Sequence, residues 1–376
     1  MEFGIMFFSS AASGADRARG GKYRLLLDAV RFADRRGFRC VWTPERHFHP
    51  FGGLYPNPSV VSAGLATITE RLELRAGSLI SPLHSAVRIA EEWAVVDNLS
   101  GGRVALSFGA GWNVDDFIFF PERYAERQAF MYRQIETVRH LWRGGTVRER
   151  NSAGREVEIR VYPSPVRPEL PVWVTSSGNV DTFVSAGRIG ANVLTHLIGQ
   201  DLTALAGKIE RYRAALEAGG RSRRDGKVTL MLHTFLGGDA ERVRATVRAP
   251  FREYLRSAVS LEEKSVIGGG VISGGHKVES HRISERVMED LLDATFERYV
   301  RTGALMGTPA QLEPFVLRLA EIGVDEIACL IDFGVDEDRV LAALEPLDDL
   351  RARFSGETKA ALTEYALAGF LEDLEE

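Results

Sequence analysis

Residues 22–45 read KYRLLLDAVRFADRRGFRCVWTPE. The first part, 22–36, is an amphipathic helix pattern that stops at Gly37, the residue type that accepts the left-handed conformation after a last helical turn. The second part, 40–45, is a short apolar run of the kind that forms a strand buried on both faces. Helix, glycine, buried strand: working outward, the same alternation recurs along the chain. Strand runs stand at 2–8 (EFGIMFF), 73–80 (ELRAGSLI), 104–111 (VALSFGAG), 171–176 (PVWVTS), 192–196 (NVLTH), 229–238 (TLMLHTFLGG) and 325–333 (DEIACLIDF). Between them lie amphipathic stretches such as 122–143, where Phe130, Gln134, Ile135, Val138 and Leu141 fall near helical spacing. Pro309, just after Thr308 as N-cap, opens a further helix.

Eight strand–helix alternations predict a (β/α)8 barrel. The competing doubly wound sheet usually carries a glycine-rich first turn, and residues 9–21, SSAASGADRARGG, are not G-x-G-x-x-G. We therefore read 1–352 as one barrel domain and 353–376 as a C-terminal helical tail. Two insertions interrupt the barrel. Residues 145–165 read as a β-hairpin. In 258–302 a glycine-rich loop or lid (258–282) precedes a helical stretch (283–302).

The chain has 376 residues, 45% hydrophobic and 26% charged, which excludes disorder, collagen and coiled coil. Its net charge of −5 gives no reason to expect nucleic-acid binding. The two cysteines, Cys40 and Cys329, sit in strand runs and suggest neither a disulfide framework nor a cysteine metal site. No apolar stretch is long enough to span a bilayer, and the N-terminus lacks a signal-peptide pattern, so the expectation is a cytoplasmic protein. Only six of the 47 cations are lysines, and none ends a strand. That disfavours Schiff-base chemistry and a carbamylated-lysine binuclear metal site.

In a barrel the chemistry is built from the loops that follow the strands. After the second strand come Glu45, Arg46, His47 and His49 among Trp42, Phe48 and Phe51. The His47-x-His49 pair leaves open a metal-dependent hydrolase, with His196 and Asp332 as further strand-end ligands. After the fourth strand Gly109 and Gly111 permit close approach of a flat ligand, with Trp112 as a stacking surface. After the fifth, Thr175-Ser176-Ser177-Gly178-Asn179 precedes a helix, and free amides at a helix N-terminus favour an anion such as phosphate.

Together these segments resemble the luciferase-like flavin monooxygenase superfamily. The resemblance is carried by WTPERHFHPFGGLYPNP (42–58), GSLISPLH (77–84), LSGGRVALSFGAGWNVDDF (99–117), TSSGN (175–179) and GTP (307–309). It is strongest for a subgroup associated with polyketide and non-ribosomal peptide biosynthesis, hence with antibiotic and other secondary metabolism. The resemblance implies reduced FMN and O2, oxygenation of a natural-product intermediate through a flavin C4a-hydroperoxide, and a separate NAD(P)H:flavin reductase. It also suggests a homodimer. Related enzymes use deazaflavin F420 for hydride transfer instead, which stands as the alternative.

Carried over by position, Ser176, Ser177 and Gly178 fall where the family holds the flavin phosphate. Gly109, Ala110 and Asn113 fall where it lines the isoalloxazine, and Gly77–Ser78 at a site that often has a non-prolyl cis peptide. His47 is the candidate acid/base, Glu45 its orienting carboxylate, and Arg46 the counter-charge to an anionic substrate or flavin group. The chain departs from the family's luciferases in two places. Arg46 stands at their catalytic histidine, with His47 at the second of the pair, and Ala110 replaces a phosphate-contacting arginine. Arg252, Arg256, Lys264, Lys277 and the stretch Arg298–Arg301 form a candidate cationic rim for an acyl or peptidyl carrier protein.

Overall fold

The computed structural model describes residues 1–8, 21–267 and 285–355, without the side chains of 263–267 and 285. In chain order the elements are β1 (Glu2–Met6), α1 (Arg24–Arg36), β2 (Cys40–Thr43), α2 (Pro58–Ala66), β3 (Glu73–Ile80), α3 (Ala86–Ser100), β4 (Val104–Gly109) and α4 (Arg127–Trp142). The hairpin β5 (Val147–Arg150) and β6 (Glu156–Ile159) follows. Then come β7 (Val172–Ser176), α5 (Val180–Arg188), β8 (Asn192–His196), α6 (Leu202–Ala218), β9 (Val228–Leu236), α7 (Ala240–Ile267), α8 (Glu285–Thr302), β10 (Leu305–Gly307), α9 (Pro309–Glu321), β11 (Glu326–Leu330), α10 (Glu337–Ala342) and α11 (Leu344–Ala352).

Strands β1, β2, β3, β4, β7, β8, β9 and β11 pair in parallel, and the β8–β9, β9–β11 and β11–β1 pairings close them into a barrel. All eight strand runs of the sequence are present, which confirms the (β/α)8 reading. The predicted α1 ends at Gly37, whose φ of 82° is the left-handed cap. The capping box at Thr308 starts α9 as expected. The hairpin at 145–165 is also present, as an antiparallel pair with a mostly exposed surface.

Two differences bear on the site. A short strand, β10, continues the parallel pairing along the end of β9 (Leu305↔Thr234 to Gly307↔Leu236). Within the predicted loop 258–282, residues 258–267 instead continue helix α7; residues 268–282 lie outside the described part of the chain, as do 356–376 of the predicted tail. Helix α8 occupies 285–302, inside the predicted helical stretch. No helix among the described residues is long and apolar enough to cross a membrane.

The barrel interior near the strand N-termini is polar. Arg75 on β3 is fully buried and forms two bonds to Glu326 on β11 (2.8 and 3.0 Å) and two to its neighbour Glu73 (3.0 and 2.7 Å). Its guanidinium stacks between Trp42 and Trp173, 4.8 and 4.4 Å from the ring centroids. Thr229 and Cys40 donate to the same Glu326 oxygen at 3.2 and 3.6 Å. These charges are dry but fully partnered, so they specify the barrel's inner packing.

Candidate active site

At the opposite end, Pro44 follows β2 and the chain turns into a loop held by the Arg46 N–H donating to Tyr55 O (3.0 Å). This turn directs Glu45 inward, where its carboxylate has no exposed surface. Glu45 Oε2 accepts the Ile80 N–H at 2.7 Å. Its Oε1 accepts from two imidazoles, His47 Nε2 at 2.9 Å and His84 Nε2 at 2.6 Å. Burial alone would raise the Glu45 pKa, but the bonds from His47, His84 and Ile80 outweigh it and hold the group below the usual glutamate value. Burial likewise disfavours a charged His84, yet Glu45 raises its pKa on balance. An ionised carboxylate only accepts, so both Nε2 atoms carry protons.

His84 was not among the residues singled out from sequence. It lies 39 positions from Glu45 and reaches it because a single 3-10 turn, Ser81–Leu83, reverses the chain after β3. The Arg123 and Gln134 side chains, each 2.8 Å from His84 O, fix that turn. The only sequence trace was its place at the end of the GSLISPLH segment.

The wall beside this triad is built from β3, β4 and β7. The Gly77–Ser78 peptide is cis, and the pairing of β3 with β4 shifts register between Gly77 and Leu79. Ser78 Oγ and Ser107 Oγ lie 2.5 and 2.6 Å from Thr175 Oγ1, tying the three strands together. A side chain at Gly111 would meet Ile80 Cγ2 at 2.8 Å and Phe117 at 3.0 Å, and its φ of 78° already favours glycine. Gly109 and Ala110 continue this low wall. Asn113 is buried and spends its amide on Asp116 (2.7 Å) and its oxygen on the Asp115 N–H (3.4 Å), so it caps the following turn. Burial raises the Asp116 pKa.

At the end of β7 the Gly178 N–H donates to Ser176 Oγ at 3.3 Å, and Ser176 Oγ donates to Asn179 O at 3.3 Å. Asn179 caps α5 through Asp181 N (2.8 Å). Gly178 takes a φ of 104°, and a Cβ there would stand 3.3 Å from Lys208 Nζ. Lys208, from the middle of α6, donates to Gln200 Oε1 at 2.7 Å, and burial lowers its pKa. The sequence placed no lysine at a strand end. Packing of α6 beside α5 brings this helix lysine to one.

Aromatic rings close the mouth. Tyr254 of α7 packs on Phe51 (4.9 Å) and Phe51 on Phe8 (5.1 Å). His47 meets Phe48 and Phe119 at 5.4 and 5.3 Å, and both rings remain about half exposed. Phe7 and Trp42 belong to the core, Trp42 facing Arg75. The Arg46 guanidinium lies between Phe8 and Trp112, 5.3 and 5.2 Å from their centroids. Its Nε is buried with no hydrogen-bond partner among the described residues.

One expectation needs correction in part. Part of the cationic rim is neutralised: Arg252 and Arg256 both pair with Glu289 of α8, Arg252 also approaches Asp293 (3.4 Å), and Tyr299 is buried against His233 and Phe251. The side chains of Lys264 and Lys277 lie outside the described residues. The residues considered for the metal alternative have other partners. His49 Nδ1 accepts the Phe51 N–H (3.1 Å), and His196 Nδ1 accepts the Ile198 N–H (3.2 Å) while burial pushes its pKa down to about 4. Asp332 accepts the Phe8 N–H (2.7 Å). Among the described residues no three His, Cys, Asp or Glu side chains are arranged to hold a metal ion.

A family model described as luciferase-like monooxygenase matches residues 1–326. The oxygenase component of a flavin-dependent trigonelline monooxygenase from Acinetobacter baylyi is 23% identical, covering 86% of this chain and 87% of that protein. An F420-dependent glucose-6-phosphate dehydrogenase from Amycolatopsis mediterranei is 25% identical over 79% of this chain and 86% of its own length. The fold also matches a solved structure, the oxygenating constituent of 3,6-diketocamphane monooxygenase from Pseudomonas putida, a type II Baeyer–Villiger enzyme in complex with FMN. That match has a TM-score of 0.68 at 16% identity and covers 93% of this chain and 96% of the other.

Proposed function

The chain belongs to the luciferase-like monooxygenase family, and from that premise we propose that it is the oxygenase component of a two-component FMN monooxygenase. A separate NAD(P)H:flavin reductase would supply the reduced cofactor. The observation that carries the reading is the loop ending β7: Gly178, next to the N-terminus of α5, lies beside the Lys208 ammonium, and Ser176 and Ser177 precede it in the same loop. This donor set suits a phosphate monoester. Lys208 supplies the cation where the family's luciferases have an arginine and this chain has Ala110. Gly109, Ala110 and Gly111, with no bulky side chain, leave the adjoining wall open to a flat ring.

Reduced FMN, when bound, supplies the electrons that activate O2 so that one oxygen atom enters the substrate. The chain's own residues do the rest. Phe8, Phe51, Phe119, Trp112 and Tyr254 exclude water from the mouth. Glu45 fixes the His47 ring through Nε2, which leaves Nδ1 to take a proton or accept a hydrogen bond. Arg46, stacked and with its Nε lacking an acceptor among the described residues, supplies positive charge for an anionic group of the substrate or of the flavin. The similarity to the trigonelline and diketocamphane monooxygenases supports flavin and a reductase partner. The subgroup resemblance supports a natural-product intermediate as substrate. With Arg252 and Arg256 committed to Glu289, we favour a free small molecule over a carrier-tethered one.

The relative that uses F420 favours a second reading, hydride transfer without oxygen. Single turnover under 18O2 separates the two. The FMN reading predicts one labelled oxygen atom in the product, with less than full coupling released as hydrogen peroxide. Product formed anaerobically with F420, and without label, would replace it.

A further inference from the structure

Two imidazoles donate to one oxygen of one buried carboxylate, and that arrangement constrains protonation. Glu45 carries a single negative charge and no exposed side-chain surface. It can compensate one imidazolium; a second would leave uncompensated positive charge in a buried site next to Arg46. The surroundings decide which histidine holds it. His84 has a side chain 25% exposed, against 11% for His47, so its charge is the better solvated. His84 also has the shorter bond to Glu45, and Glu92 of α3 adds negative potential while Arg123 opposes it. Around His47 stand Arg46 on its own loop and Asp116 from the next turn, the latter biased toward its neutral form by burial.

We propose that His84 is a positioning residue that holds the imidazolium of this triad and so keeps His47 neutral, with its proton on Nε2 and its Nδ1 lone pair free. His47 then meets the reacting groups as a base or hydrogen-bond acceptor. The inference rests on His47 being the acid/base of the proposed site. Its test needs neither flavin nor substrate, so it can fail independently of the FMN reading.

The test is imidazole nitrogen NMR on the full chain at pH 7, with the His47 and His84 signals assigned by substitution. Wild type should show His84 protonated on both nitrogens and His47 on Nε2 alone. In His84→Gln, which preserves a donor to Glu45, His47 should acquire the second proton. In Glu45→Gln, where no carboxylate remains to share, both rings should be neutral; this arm stands even if His84→Gln fails to fold. Two doubly protonated rings in wild type would overturn the proposal. So would a His47 signal unmoved in His84→Gln, or a His84 that stays cationic in Glu45→Gln. If the NMR result holds while reduced FMN shows no phosphate-dependent binding, the triad stands and the cofactor assignment falls.

Discussion

The two ends of the barrel both bury charge, and they treat it differently. Near the strand N-termini, Arg75 is met by Glu326 and Glu73, Glu73 is met again by Arg39 and Arg167, and Glu326 takes further donors from Thr229 and Cys40. Across the strand C-termini, Glu45 is shared by two histidines, while Arg46 Nε, Thr43 Oγ1 and Ser81 Oγ are buried without partners among the described residues. An unpartnered buried polar group costs stability unless something later satisfies it. The first end therefore specifies the fold, and the second is the end we propose meets a ligand. This matches the usual division of a barrel into a stability face and a catalytic face.

The contrast predicts opposite phenotypes. His47→Ala should lower the rate of product formation by about 10²–10⁴-fold, the range expected for lost acid/base assistance. It should also raise hydrogen peroxide released per flavin oxidised and leave the denaturation midpoint unchanged. Stopped-flow oxidation with product and peroxide quantitation checks the first two, and chemical denaturation the third. Arg75→Met should do the reverse. It strands Glu326 in the barrel and should cost about 3–5 kcal/mol by chemical denaturation, with reduced-flavin affinity retained while the protein stays folded. A large loss of stability in His47→Ala, or none in Arg75→Met, would break the comparison.

A smaller effect sharpens it through pH. His233 of β9 is buried among Phe251, Tyr254, Tyr299 and Phe333, and desolvation pushes its pKa down to about 3. The same cause lowers His196 to about 4. For both, the unfolded chain binds a proton more readily than the folded one, so stability present above the ordinary histidine value near 6.5 is lost as pH falls toward 3. His84 and Glu45 bracket a different window. Their pair stabilises above the depressed Glu45 value and weakens as pH rises through the raised His84 value. Substituting His233→Phe should therefore remove about one proton from the acid-side slope of stability against pH and leave the alkaline side alone. Denaturation across a pH series measures it; an unchanged acid slope would mean that His233 is not held neutral.

Much of the fold was legible because buried parallel strands write themselves as apolar runs closed by glycine or polar turns. Among the described strands only β10 escaped, being three residues long and dependent on β9 for pairing. The candidate site was legible where its proposed residues are neighbours in sequence, as with Glu45, Arg46 and His47 or Ser176–Gly178. It was opaque where folding brings distant residues in. His84 needs the turn after β3, and Lys208 looks like a surface-helix lysine until α6 packs against α5. The pairing of Arg252 and Arg256 was hidden for a related reason, since the acidic residue that neutralises them lies on α8, within the predicted insertion.

The central claim is that the loop ending β7 holds the phosphate of reduced FMN. Anaerobic titration of wild type, Ser177→Asp and Lys208→Met with reduced FMN and with reduced riboflavin tests it most directly. The account predicts that Ser177→Asp, by setting like charge against the phosphate, weakens FMN by a few kcal/mol. Lys208→Met should weaken it by about 1.5–3 kcal/mol, the worth of a hydrogen bond to a charged group. Riboflavin should bind all three proteins alike. Equal FMN affinity in all three would contradict the account and move the anion site elsewhere.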